Sequence, residues 1–280
     1  MNNSTVNFTP EASTNSTTHS IAQLNSLNIC LFGLPFLVGV PTHSYVIWLI
    51  ITGTGRGVAS EFFNLNLSVC EIANCLNVLF SLLSFLFSSL TRTTYFLQGL
   101  SVTGRPLFQC LMCVERYLAV VHPVTFLKYK PLRYRVICCT AAWINTLGSC
   151  LFCMFSLISN NLHAYTWFYT LQFLLFLSIQ LFCLVAVLRA LKQSGPGERG
   201  RERGEENNMK RRAFHIILIT TVSIAIIYLP YIIIGLSFVS SQLFMVELIA
   251  FSFICYIFAG FVQPILYFKR AGKLSCFCSP

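Results

Sequence analysis

Long apolar stretches alternate with short polar segments along most of the chain. The stretches cover residues 28–51, 62–91, 93–114, 136–188, 213–246 and 248–268. Within them, the charged side chains are Glu71 and Arg105. About 20 apolar helical residues are needed to cross a hydrocarbon core about 30 Å thick. Each stretch is therefore long enough for at least one membrane-spanning helix.

The longest stretch, residues 136–188, is predicted to fold back on itself. A single helix of that length would extend about 80 Å at about 1.5 Å per residue, which is more than twice the thickness of the hydrocarbon core. Its clearest polar break is Ser-Asn-Asn-Leu-His at residues 159–163, where we expect a turn. The fold is therefore predicted to be all-α, a bundle of seven transmembrane helices.

The composition agrees with a membrane protein. Of 280 residues, 55% are hydrophobic and 10% are charged, whereas about 25% of the residues of a soluble domain are charged. This excludes a cytosolic enzyme, a nucleic-acid-binding protein and a disordered chain. The 13 cysteines lie mostly within the apolar stretches, where we interpret them as packing residues. A secreted disulfide scaffold would be shorter and richer in loops.

No enzymatic chemistry is indicated. The chain contains no Asp, and the predicted spans hold no Ser–His pairing motif and no His cluster. We therefore expect no catalytic site, no bound metal and no cofactor. The lone His43 is interpreted as a hydrogen-bonded core residue.

The charges predict the orientation. The tail at residues 1–25 carries one charge, Glu11, and four N-x-S/T sequons, which favour an extracellular glycosylated segment. The sequon asparagines are Asn2, Asn3, Asn7 and Asn15. No cleaved signal peptide is evident. With the N-terminus outside, 17 of the 19 Lys and Arg residues fall on the cytoplasmic side, as the positive-inside rule requires. The net charge of +10 thus belongs to the membrane face and indicates no nucleic-acid partner.

Five motifs follow one another in a recognisable order. They are Leu65-Asn66-Leu67-Ser68-Val69-Cys70-Glu71, then Glu115-Arg116-Tyr117, Trp143, Tyr228-Leu229-Pro230, and Gln263-Pro264-Ile265-Leu266-Tyr267. Together they resemble the landmarks of rhodopsin-like (class A) G-protein-coupled receptors over roughly residues 26–278. In the first span, Gly39-Val40-Pro41-Thr42-His43 running on to Trp48 is similar to the purinergic and protease-activated branch.

The resemblance implies a plasma-membrane receptor that transmits an extracellular signal to a heterotrimeric G protein. It implies that Arg116 pairs with Glu115 at rest and turns to a partner on activation. The remaining residues of the implied switch are Tyr117, Tyr228, Pro230, Gln263, Pro264 and Tyr267. Pro230 and Pro264 also predict helix kinks, because a proline removes a backbone hydrogen bond. Alternatively, Arg116 is an ordinary anchor at the cytoplasmic face.

The resemblance also divides the chain into domains. Residues 26–274 would be the seven-transmembrane receptor domain, ending in a short amphipathic eighth helix over 268–274. Residues 194–208, charged and rich in Gly, are predicted to be a disordered cytoplasmic loop. In the tail at residues 275–280, Cys276 and Cys278 are candidates for palmitoylation. The basic segment 210–212 would face a G protein or anionic lipid head groups.

Departures from the family pattern are informative. Thr91 stands where the family carries a disulfide-forming Cys, so no such disulfide is expected. Glu71 and Arg105 occupy positions of the family's sodium site and lie at a similar depth, about 15 and 16 Å from the inner face at about 1.5 Å per residue. Because an isolated charge in mid-membrane is costly, we predict a buried ion pair in place of sodium. The alternative is two separately solvated side chains.

The resemblance places a ligand pocket in the outer halves of the spans. The candidate residues are Tyr95, Gln98, Gly99, Val102, Tyr228, Tyr231, Gly235 and Phe253. Gln98 stands where amine receptors have Asp, which disfavours a biogenic amine. A nucleotide would need several cations, so a small lipid or neutral organic ligand fits this apolar wall best. Packing within the spans is the alternative role for these aromatics.

Two other classes of protein compete with the receptor interpretation. A transporter or channel would need a repeated half or a polar membrane pathway, and no repeat is evident. A heptahelical scaffold or chaperone without G-protein coupling would fit the altered motifs. Basal G-protein activation that depends on Arg116 would separate a receptor from both.

Overall fold

The fold is built from α-helices joined by short turns. The computed structural model describes residues 33–52, 61–84, 87–129, 132–193, 201–241 and 246–270, and these contain no β-strand. The all-helical prediction is therefore confirmed for them. The predicted glycosylation sites and the two tail cysteines lie outside these ranges, as do residues 271–274 of the predicted eighth helix.

The first two long helices lie side by side. Helix α1 (Val40–Ile51) follows a π-helical turn at Pro35–Gly39. Helix α2 (Phe62–Leu83) carries the second-span motif, and its buried side includes polar residues as well as apolar ones. The inner end of α1 packs against Tyr267 through its buried Val46, Leu49 and Ile50.

The helical path of the predicted third span is divided. A 3₁₀ turn at Ser88–Leu90 leads into helix α3 (Thr91–Gly99). A π-helical turn at Leu100–Gly104 then joins α3 to helix α4 (Arg105–Val121). Pro106 explains the wider turn, because proline has no N–H to donate to the preceding turn. The break places Arg105 at the first position of α4, within the bundle.

The predicted turn within the longest apolar stretch is confirmed. After helix α5 (Pro123–Tyr129), helix α6 covers Leu132–Ile158 and helix α7 covers Leu162–Gln193. In the turn between them, Asn160 has φ 53°, a left-handed conformation that asparagine tolerates better than most residues. The Asn161 side chain then accepts a hydrogen bond from the Ala164 backbone N–H at 3.1 Å, which caps α7.

Helix α6 allows close packing because its buried face carries small residues. This face includes Ala142, Thr146, Ser149, Cys150 and Cys153. Small side chains let neighbouring backbones approach inside a membrane, where apolar lipid provides little hydrophobic drive for association. Cys150 and Cys153 lie in this interface, which agrees with the prediction that the cysteines within the apolar stretches are packing residues.

Helix α8 (Arg201–Ser241) corrects one prediction about the cytoplasmic side. Residues 201–208 were predicted to be disordered, but the structure makes them the first two turns of α8. The reason is that Arg and Glu, which dominate this segment, are good helix formers and precede a strongly apolar helix. Residues 194–200 of the predicted loop lie outside the described ranges. Pro230 lies inside α8 without ending it.

The last predicted span is broken near its proline. Helix α9 (Val246–Gly260) ends at a turn at Phe261, and helix α10 covers Val262–Arg270. Pro264 cannot donate to the carbonyl of residue 260, four positions earlier, which accounts for the interruption.

Several helices are suited to a membrane. Among the described residues, five helical stretches are long and apolar enough to cross one, at Phe62–Leu83, Leu132–Ile158, Leu162–Ala190, Phe214–Phe238 and Leu248–Phe268, the last of which contains the turn at Phe261. A shorter apolar helix covers Pro35–Ile51. Large apolar side chains point outward, for example Leu37 at 71% and Phe182 at 63% exposure. This outward apolar surface is typical of a multi-pass membrane protein.

Candidate functional site

Two opposite charges meet in the centre of the helix bundle. Glu71 and Arg105 are 2% and 3% exposed, and their side chains form a salt bridge. Arg105 Nε donates to Glu71 Oε1 at 2.5 Å, and Nη2 donates to Oε2. The planar guanidinium thus binds both carboxylate oxygens, the geometry that gives Arg–carboxylate pairs their strength.

Arg105 also reaches helix α9. Its Nη1 donates to the Tyr256 carbonyl oxygen at 3.0 Å, and its Cζ lies 3.8 Å from the centroid of the Tyr256 ring. A cation over an aromatic face is favourable. Arg105 therefore connects α2 and α9 through one side chain.

A small cavity adjoins this ion pair. It has a volume of about 20 Å³ and is bordered by Glu71, Arg105, Asn74, His43 and Gly260, among others. His43 is fully buried there, and its Nδ1 has no hydrogen-bond partner in the structure. A Cβ at position 260 would lie 3.4 Å from Arg105 Nη2, an ordinary van der Waals contact, so Gly260 packs directly against the ion pair.

At the inner end of α4, the acidic member of the E-R-Y motif has a partner from another helix. Glu115 Oε1 accepts a hydrogen bond from Arg135 Nη2, and the two form a salt bridge. Arg135 lies in the first turn of α6 and is buried. The carboxylate is thus bound by Arg135, whereas the sequence predicted Arg116 as its partner.

Arg116 instead borders an inner cavity of about 60 Å³. Glu115, Gln263 and Tyr267 border the same cavity. The Gln263 side-chain amide donates to Asn64 Oδ1 at 3.0 Å and approaches Met112 Sδ at 3.2 Å. The structure thus brings together switch candidates from α4 and α10, with α2 attached through Asn64.

Tyr117, the third member of the motif, is directed toward α7. Its hydroxyl lies 3.1 Å from His122 Nε2, and its ring packs edge-on against Phe182 at 5.8 Å between centroids. Val121, at the end of the same helix, contributes with Phe182 to a groove that opens on the bundle surface. Tyr117 therefore contacts a different part of the bundle from Arg116.

The fourth-span tryptophan is a structural link. Trp143 Nε1 donates to Asn66 Oδ1 at 2.9 Å, and its ring packs on Phe108 with 5.3 Å between centroids. These contacts join α6 to α2 and α4. A buried indole N–H needs such a partner.

A larger cavity occupies the opposite half of the bundle, the half that the sequence predicts to be the outer one. Its volume is about 260 Å³. Five of the predicted pocket residues border it, namely Gln98, Val102, Tyr228, Tyr231 and Phe253. Tyr228 is fully buried, and its ring is stacked on Phe173 with 4.2 Å between centroids. Tyrosine and phenylalanine are eight of the 19 residues that line the cavity.

Three predicted pocket residues do not border this cavity. Tyr95 is partly buried on α3 outside its lining. A Cβ at Gly99 would clash with the Cys150 backbone, and one at Gly235 would clash with the Thr170 hydroxyl. Both glycines therefore serve close helix packing, which sequence alignment could not distinguish from an open pocket wall.

Sequence reasoning missed the contribution of α7 to the cavity. Tyr165, Tyr169 and Phe173 border it, as do Asn77, Ser101 and Tyr256 from other helices. Tyr165, Tyr169 and Phe173 recur at intervals of four residues. That spacing places them on one helix face, so the sequence alone could have indicated that this face of α7 lines a cavity.

The described cysteines are all free, and Thr91 begins α3. Within the described residues, no group of three or more His, Cys, Asp or Glu side chains could hold a metal ion. The carboxylate of Glu71 is neutralised by the side chain of Arg105.

The chain belongs to the family described as 7 transmembrane receptor (rhodopsin family). The sequence model of that family matches residues 43–267. The human chemokine XC receptor 1 is 31% identical over 197 residues, which cover 61% of this chain and 56% of that receptor. The rat uracil nucleotide/cysteinyl leukotriene receptor is 29% identical over 128 residues, 43% of this chain and 38% of that receptor. The human proteinase-activated receptor 3 is 26% identical over 121 residues, 40% and 32% of the two chains.

These comparisons confirm the resemblance to rhodopsin-like receptors, including nucleotide and protease-activated members. The family and these relatives are receptors rather than enzymes. The chain spans only between 32% and 56% of the length of the three relatives named.

Proposed function

We propose that this chain is a G-protein-coupled receptor of the plasma membrane that transmits binding of an extracellular ligand to a heterotrimeric G protein. The observation that carries the proposal is the meeting of Arg116, Gln263 and Tyr267 at one inner cavity. These residues come from motifs far apart in the sequence. Their convergence on one cavity is the arrangement that a shared cytoplasmic switch requires.

The proposal includes the topology. The N-terminal tail is extracellular and glycosylated, and the chain crosses the membrane seven times. Support comes from the five long apolar helices, the shorter helix Pro35–Ile51 and the helical path over residues 88–121. The positive residues then lie on the cytoplasmic side, where acylation of the two tail cysteines would add a membrane anchor.

A physical connection between the two cavities supports signalling. Tyr228 and Tyr256 border the outer cavity, and Tyr256 contacts Arg105 through its ring and its carbonyl. Arg105 begins α4, the helix that carries Arg116 toward its inner end. A ligand that displaces Tyr256 would therefore act on the helix that carries the inner switch, and a switch of this kind requires a helix with two arrangements.

The test is basal G-protein activation in cells that express the full chain, measured over a panel of G-protein sensors. Arg116→Ala should abolish the signal at equal surface expression. Arg133→Ala is the matched control, because Arg133 is an exposed arginine at the start of α6 and its removal changes net charge equally. No signal above that of untransfected cells from the wild type at verified surface expression would instead favour a heptahelical scaffold or chaperone.

A further inference from the structure

The outer cavity is an aromatic box without a charged wall. Among the described residues that border it there is no Lys, Arg, His, Asp or Glu. Four of its lining residues, Tyr169, Phe173, Tyr228 and Tyr256, belong to one buried cluster. Aromatic faces of this kind favour flat ring systems, which can stack or pack edge-on.

The positive charge of Arg105 does not serve this cavity. Arg105 lies against the Tyr256 ring and is neutralised by Glu71. Arg105 borders the small cavity beside the ion pair rather than the aromatic cavity. A charged ligand entering the aromatic cavity would lose its hydration without gaining a counter-charge, which is costly. Aromatic faces attract a cation, but Arg105 already lies against the Tyr256 ring, which disfavours a second positive charge beside it.

Three buried polar atoms on the wall lack partners. The hydroxyls of Tyr228 and Tyr256 and the Asn77 Oδ1 are all buried and make no hydrogen bond in the structure. The other end of the Asn77 amide donates to Gln98 Oε1 at 3.4 Å, which fixes the free oxygen as an acceptor. Buried polar groups are normally satisfied, so these atoms indicate where a ligand's polar group would bind. We take Tyr228 and Asn77 as the main partners, because Arg105 already lies against the Tyr256 ring.

The size of the cavity limits the ligand. A volume of about 260 Å³ lies just below the range of about 300–1,000 Å³ common for small-molecule sites. A compact ring system suits this space better than a nucleotide or a long acyl chain.

We propose that the outer cavity binds a compact, uncharged aromatic ligand that hydrogen-bonds to the Tyr228 hydroxyl and donates to Asn77. The proposal names the ligand class of the receptor function proposed above. It separates this chain from the relative named for a uracil nucleotide and a cysteinyl leukotriene, because nucleotide phosphates and leukotriene carboxylates are anionic.

The test uses four probes that share one ring system. These are naphthalene, 2-naphthol, 2-naphthoate and 2-naphthylmethylammonium, titrated against the full chain in lipid nanodiscs without G protein. Binding is read from the shift in thermal unfolding, and probe uptake by empty nanodiscs is subtracted. We expect 2-naphthol to bind about tenfold more tightly than naphthalene, the effect of one hydrogen bond to a buried group. The two charged probes should bind more weakly than naphthalene.

Two variants locate the effect. Tyr228→Phe removes one of the two proposed partners and should reduce the advantage of 2-naphthol over naphthalene, while Asn77 Oδ1 remains as an acceptor and the affinity for naphthalene is unchanged. Tyr45→Phe, on α1 beside Trp48, is the matched control and should behave as the wild type. Tight binding of either charged probe, an unchanged advantage of 2-naphthol in Tyr228→Phe, or no binding of any probe would overturn the proposal. Because no G protein is present, failure of coupling would not affect this result.

Discussion

The guanidinium of Arg105 binds both carboxylate oxygens of Glu71 inside the helix bundle, with almost no exposure of either side chain. The sequence resemblance puts these residues where rhodopsin-like receptors hold a sodium ion. In this chain, the positively charged side chain of Arg105 lies against Glu71 instead. It also binds the carbonyl oxygen of Tyr256 on α9, so the pair joins helices that a signal would have to rearrange.

The ion pair predicts non-additive mutational effects. Arg105→Ala leaves Glu71 buried without its partner and should destabilise the protein by about 3–5 kcal/mol. Adding Glu71→Ala should recover part of that loss, because no uncompensated charge then remains. Thermal unfolding and surface expression of the two single variants and the double variant measure this. A double variant whose loss equals the sum of the single losses would contradict the pair.

Sodium should have no effect on this protein. Because Arg105 already neutralises Glu71, replacing Na⁺ with N-methylglucamine at constant ionic strength should leave the unfolding temperature unchanged. Arg105→Ser removes the competing cation and restores the residue that the family pattern has at this position. It should create a sodium-dependent rise in that temperature. A sodium-dependent wild type together with an insensitive Arg105→Ser variant would rule the interpretation out.

Arg135 is predicted to keep Arg116 available. It binds Glu115, the residue that would otherwise pair with Arg116. In Arg135→Gln, the released carboxylate should pair with Arg116 and lower basal signalling by about fivefold or more, the scale of typical coupling between sites. Adding Glu115→Gln should restore the signal. Higher basal signalling in Arg135→Gln alone would show that the Glu115–Arg135 pair restrains activity instead.

Gly99 is predicted to be required for the contact between α3 and α6. A Cβ at this position would clash with the backbone of Cys150, which cannot move aside as a side-chain tip could. Gly99→Ala should therefore cost about 1–3 kcal/mol of stability, as overpacking typically does.

Gly148→Ala is the matched control, since a Cβ there meets no atom within 4 Å. It should stabilise α6 by about 0.5–1 kcal/mol, because glycine is a poor residue for a helix interior. Unfolding temperatures of both variants provide the comparison. Equal responses of the two variants would mean that the α3–α6 contact is looser than the structure indicates.

The local features of the fold could be predicted from the sequence. Apolar length predicted the helices, and the polar run at 159–163 predicted the turn that Asn160 makes. Opposite charges at matching depth predicted that Glu71 and Arg105 could meet. Each prediction rests on one segment or on a simple count of helical rise.

Contacts that depend on how helices pack were beyond the sequence. The partner of Glu115 lies 20 residues away on another helix, and no local pattern selects Arg135 over the adjacent Arg116. Likewise, Gly99 and Gly235 align with pocket positions, but the packed backbone and side chains beside them decide that they face another helix. The helical start of α8 was missed because charge and glycine content suggested disorder, although Arg and Glu favour helices.

Arg116 is proposed to operate a cytoplasmic switch for a G protein. The most direct test is guanine-nucleotide exchange on purified G proteins by the full chain in nanodiscs, compared with Arg116→Ala and the Arg133→Ala control. We predict exchange above the rate of empty nanodiscs for at least one G protein, lost in Arg116→Ala and retained in Arg133→Ala. Exchange that is equal in the wild type and in Arg116→Ala, or absent for every G protein, would show that Arg116 does not operate such a switch.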